Sequence, residues 1–116
     1  MRIEDTARHN LDRRLKSDIK GHEVATTFEN GWADVENGEL LFLAEANGFD
    51  VLLTADANIS KQQNLSERKI SIVVIRAFNN RRATHLEMID DILIKLENVV
   101  VGTVIEVVHP QFSRSD

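Results

Sequence analysis

The chain has 116 residues, 42% hydrophobic and 28% charged, with a formal net charge of −5, which suits one globular core and excludes a second. It contains no cysteine, so disulfides and thiolate zinc sites are excluded and a cytoplasmic address is the default expectation. The negative charge argues against a surface that is wholly a nucleic-acid clamp, since phosphate contacts need local positive potential.

Met1 to Asn10 is polar and lacks the apolar stretch of a secretion signal. Leu11, Leu15 and Ile19 then recur at helical spacing behind a possible Asn10 N-cap, and Gly21 stands where a helix C′ glycine belongs. His22 to Phe28 is β-branched and aromatic and reads as a strand. A loop at Glu29 to Glu36 contains Trp32, expected to cap one end of the core. Asn37 is expected to cap a helix with Leu40, Leu41, Leu43 and Ala44 inward, which Gly48 ends.

Val51 to Thr54 and Ile70 to Ile75 are continuously apolar, the pattern of strands buried on both faces. Between them Asp56 to Lys69 is polar, with one helical turn expected at Gln62 to Leu65. Leu86, Ile89, Ile92, Leu93 and Leu96 define one face of a long helix from about Arg82 to Glu97. Thr103 to His109 alternates, Val104, Glu106 and Val108 against Ile105 and Val107, which suits an edge strand. A tail, residues 110–116, follows. No apolar stretch approaches the ~20 residues of a membrane helix.

Strands alternating with helices predict an α/β domain with a mainly parallel sheet of four to five strands and helices on its faces. Ligand sites in such sheets lie beyond the carboxyl ends of the strands. Asp56 follows one such end, and Glu39 starts the preceding helix, so both are expected over the same edge. Clustered carboxylates with little histidine or thiol suit magnesium or manganese, and such ions activate water in phosphodiester hydrolysis. The bland alternatives are ordinary: a helix dipole favours Glu39 where it stands, and Asp56 can cap a turn. His9, His22, His85 and His109 have no metal-ligand spacing and read as surface or boundary residues. Basic residues cluster at 13–20, at Lys61, Arg68 and Lys69, and at Arg76, Arg81 and Arg82; any single cluster reads first as a solvated face.

Several motifs in one order, Gly21-His22-Glu23-Val24, Gly31-Trp32, Asn37-Gly38-Glu39-Leu40-Leu41, Gly48 through Asp56, Gln62-Gln63-Asn64-Leu65 and Lys69 through Val74, resemble a family of minimal bacterial PIN-like proteins. Related to VapC-type toxins, that family implies a small three-layer α/β sandwich and a Mg²⁺-dependent (or Mn²⁺-dependent) endoribonuclease of a toxin–antitoxin pair. It implies Glu39 and Asp56 as catalytic metal ligands. Asn58, Asn10 and Thr54 would be supporting polar groups, and Arg76, Arg81 and Arg82 contacts to RNA phosphates. A small helix-turn-helix antitoxin is the implied partner.

The departure is at the start. Family members open with an apolar central strand ending in an aspartate ligand, whereas here Arg8 stands at the aspartate position and Glu4-Asp5-Thr6-Ala7 replaces the apolar run. Either Asp5 supplies the carboxylate from a shifted register, or residues 1–9 form no strand and the metal site is lost. The polar composition of Met1 to Arg8 favours the second. A sheet without its central strand must rearrange or borrow one, so a homo-oligomer is expected. The rival to a nuclease is a catalytically silent module that binds an antitoxin-like partner or itself; a structural subunit of a larger assembly ranks third.

Overall fold

A computed structural model describes residues 2–5, 18–26, 31–32, 35, 37–55, 68–77 and 82–110, with residues 2, 4, 5, 23, 24, 26, 37 and 82 described by their backbone alone. Its elements are β1 (Arg2–Asp5), β2 (Glu23–Thr26), α1 (Asn37–Ala46), β3 (Val51–Thr54), β4 (Ser71–Arg76), α2 (Arg82–Leu86), α3 (Ile89–Glu97) and β5 (Val104–Val108). The strands form one sheet in the order β2-β1-β3-β4-β5, and every pairing is parallel. The α/β class and the parallel sheet are as the sequence leads one to expect. Among the described residues no helix is long and apolar enough to cross a membrane.

Strand alternation divides the core in two. Val51, Leu53, Val73, Ile75 and Val107 join Ile3 and Ile19 beneath Met88, Ile92 and Leu96 of the α2–α3 segment. On the opposite face Leu52, Ile72 and Val74 meet Leu40, Leu41 and Ala44 of α1, with Phe49 and Ile70. Because side chains alternate between faces and both faces are covered, the inner positions of β3 and β4, Val51 to Leu53 and Ile72 to Ile75, are all apolar, with polar residues only at the strand ends. Trp32 packs edge-on to Phe49, ring centroids 6.1 Å apart, at the margin of this second cluster.

The turn from α1 into β3 is a Schellman motif. Gly48 donates to the Glu45 carbonyl and Phe49 to the Ala44 carbonyl, Gly48 adopts φ +84°, and the Phe49 ring drops onto the core beside Ala44. Both orphan carbonyls are thereby satisfied, and only glycine takes that φ without strain. Asn37 is the first helical residue of α1 rather than the cap ahead of it, and Leu43 is half-buried where full burial is expected. Gly21 has φ +86° and follows helical Asp18; the expected helix ahead of it, from Asn10, lies largely outside the described residues, as does the turn at 62–65.

Two expectations are corrected. Residues 2–5 do form a strand, inserted between β2 and β3. Composition misleads here because the insertion is only four residues long. It rests on backbone pairing along both edges and on one apolar anchor, Ile3, which is wholly buried. The sheet therefore has no vacant slot, and the reason for borrowing a strand from another copy disappears.

The second correction concerns the long helix, which is two. Glu87 and Met88 donate to the Thr84 and His85 carbonyls, three residues back, before Ile92 resumes the four-residue pattern on Met88. Met88 adopts φ −105°, ψ 0°, outside the helical basin. This tightened turn changes the helical phase. His85 and Met88 point inward with Ile92 and Leu96, while Leu86, expected inward, is 39% exposed.

Candidate functional site

In a parallel sheet all carboxyl ends lie on one edge, and the strand order sets where a crevice opens along it. The chain leaves β1 toward β2 on one side and passes through β3, β4 and β5 on the other. The switch between β1 and β3 is where loops diverge and ligands bind in doubly wound sheets. Asp5 is the last residue of β1, in register with Thr26 of β2 and Leu53 of β3. Thr54, the last residue of β3, is fully buried. The chain from β2 to β3 starts α1 at this edge and ends it at the other, so Glu39, in the first turn of α1, belongs to the same edge and is exposed.

The sheet thus brings Asp5 by its backbone, Thr54 and the start of α1 to one edge. Asp56, two residues beyond the end of β3, lies outside the described residues, as do Asn58, Asn10 and Arg81. Among the described residues no group of three His, Cys, Asp or Glu could hold a metal ion. The donor types suit Mg²⁺ or Mn²⁺, being carboxylates without thiol; Glu39 is the one candidate ligand whose side chain is described.

The basic candidates stand farther along the same edge. Arg76 closes β4, and its Nη1 lies 2.9 Å from Glu106 Oε2 of β5. A phosphate would have to compete with this ion pair for the guanidinium. Arg82, whose backbone alone is described, opens α2.

Sequence reasoning missed a polar cluster at the carboxyl ends of β4 and β5. His85 is fully buried and His109 nearly so, which corrects the expectation that both lie at the surface or boundary. His109 Nε2 stands 2.7 Å from Glu87 Oε1, with the imidazole N–H donating to the carboxylate. The His109 backbone N–H donates to the Arg76 carbonyl at 2.8 Å. His109 therefore ties the end of β5 both to β4 and to the α2–α3 elbow. A signal existed for each residue: His109 continues the inward parity of Ile105 and Val107, and His85 precedes Met88, Ile92 and Leu96 at intervals of three, four and four.

The opposite edge is held by structural contacts. Glu45 pairs with Arg68 Nη1 at 3.0 Å and also accepts the Lys69 backbone N–H. Ser71 Oγ and Thr103 Oγ1 both donate to the Val100 carbonyl, joining β4 to the turn before β5. Arg68 and Lys69 thus belong to a clasp between α1 and β4.

No protein-family model, no curated protein and no solved structure matches this chain.

Proposed function

We propose that this chain is a PIN-like domain, a small three-layer sandwich, that cleaves RNA with a divalent Mg²⁺ or Mn²⁺ ion at the crevice between β1 and β3. One observation carries the reading: β1 lies between β2 and β3 and ends on Asp5, so an aspartate closes an inner strand although Arg8 interrupts the family motif. Asp5, Glu39 and Asp56 would hold the ion through carboxylate oxygens. When bound, such an ion supplies an activated water and offsets charge on the leaving oxygen. Thr54, Asn58 and Asn10 would orient the ligands by hydrogen bonding, and Arg76, Arg81 and Arg82 would neutralise RNA phosphates. A small helix-turn-helix antitoxin would be the regulating partner.

The test compares RNA cleavage in Mg²⁺ by the wild type, Asp5→Asn and Asp56→Ala. Loss of about two orders of magnitude or more in both variants is expected if each ligand is needed to bind the ion. Equal activity in all three proteins would remove both carboxylates from the mechanism.

A second reading rests on Arg8, which stands where the PIN-like pattern has its aspartate ligand and cannot bind a cation. On this reading the scaffold is a silent module that binds an antitoxin-like partner or itself. Calorimetric titration with Mn²⁺ separates the two, since the silent module releases no binding heat while remaining folded.

A further inference from the structure

The outer edge of β5 is the feature the fold leaves unexplained. Among the described residues β5 pairs with β4 on one side only and ends the sheet. The backbone groups of Thr103 and His109 both bond to β4, through Ile72 N–H to the Thr103 carbonyl and His109 N–H to the Arg76 carbonyl. Since successive residues of a strand direct their backbone groups to opposite sides, Ile105 and Val107 also face β4, while Val104, Glu106 and Val108 direct theirs outward. The side chains of these same three residues share the sheet face opposite α3. Val104 and Val108 are 39% and 40% exposed, and Glu106 is held by Arg76. Two further exposed valines, Val100 and Val101, precede the strand.

We propose that β5 is a self-pairing edge, and that two copies of this chain join β5 to β5 in antiparallel sense about Glu106 to make one continuous sheet. The edge is self-complementary about that residue. Rotation by a half turn sets Val104 against Val108 of the second copy, and Val108 against its Val104, apolar against apolar, with up to about six new backbone hydrogen bonds from the outward groups. Glu106 meets its own equivalent, and two facing carboxylates would repel. The Arg76 guanidinium at 2.9 Å from each carboxylate removes that obstacle and produces a row of charges in the order Arg, Glu, Glu, Arg. Within Val104–Val108 no lysine or proline directs its backbone outward, and Pro110, the next outward position, bounds the pairing segment at its end.

Sedimentation equilibrium on the whole chain tests this at concentrations up to about 1 mM, where even a weak pairing is populated. The expected mass is twice the 13.2 kDa of one chain. Arg76→Ala is expected to raise the dimer Kd about tenfold or more by leaving two carboxylates opposed, and Arg76→Ala with Glu106→Gln to recover most of that loss. Val104→Lys with Val108→Lys sets like charges opposite each other and is expected to give a monomer, with circular dichroism establishing that it is folded. Hydrogen exchange supplies a second readout: the Val104, Glu106 and Val108 amides slow as protein concentration rises, while those of Ile105 and Val107 are protected throughout. A monomer at every concentration would overturn the proposal, as would a dimer whose three outward amides exchange independently of concentration, or an unchanged Kd in a folded lysine variant.

Discussion

Replacing Ile3 by alanine tests whether β1 belongs to the sheet. Ile3 has no exposed surface, lies in register with Val24 and Val51, and joins the core cluster beneath α3. The substitution removes three carbons, worth about 2.4 kcal/mol of transfer free energy at ~0.8 kcal/mol each. An incompletely collapsed cavity of roughly 50 Å³ adds about 1 kcal/mol. A loss of about 3–4 kcal/mol is a large share of the roughly 6–17 kcal/mol that total stability amounts to at this length. It corresponds to a fall in Tm on the order of 10–15 °C. Urea unfolding followed by circular dichroism measures it, with Val101→Ala as the exposed control, expected to stay within about 0.5 kcal/mol of the wild type. If Ile3→Ala behaves like that control, residues 2–5 are not a strand between β2 and β3, and Asp5 loses its position at the crevice.

Three further outcomes follow from the packing. Met88→Ala should cost about 2–4 kcal/mol and Leu86→Lys less than about 0.5 kcal/mol in the same urea assay; the reverse ranking would mean that α2 and α3 form one continuous helix with Leu86 inward. His109→Ala should destabilise by about 1–3 kcal/mol because a buried ring and its hydrogen bond to Glu87 are lost together, whereas Glu87→Ala, an exposed partner, should cost under about 1 kcal/mol; equal costs would show that the carboxylate contributes more than its exposure implies. Gly48→Ala should cost about 1–2 kcal/mol through its φ of +84°, read by calorimetric melting; an unchanged Tm would mean that the turn relaxes out of the left-handed region.

The candidate site was legible in part. The sequence placed Glu39 and Asp56 over one edge; Glu39 at the start of α1 stands at the edge where β3 ends, because strand and helix order alone decides which element ends coincide in a parallel sheet, while Asp56 lies outside the described residues. Asp5 could not be assigned, because a four-residue strand with one apolar residue has no periodicity to detect, and its place depends on backbone pairing with β2 and β3. The His109–Glu87 pair was equally hidden, joining residues 22 positions apart across a helix break.

What the amino-acid order determined by itself is local and repetitive. The apolar runs of β3 and β4 demand burial on both faces, Gly48 ends α1 where a left-handed residue is needed, and the alternation of β5 marks an edge. Those signals survive in sequence because each arises from neighbours a few residues apart. The tertiary structure alone decided that Arg2–Asp5 fills the place beside β3, that Met88 rather than Leu86 turns inward, and that Arg76 is bound to Glu106. Each of these depends on which distant backbone edge or core face is already occupied, and chain periodicity carries no record of that.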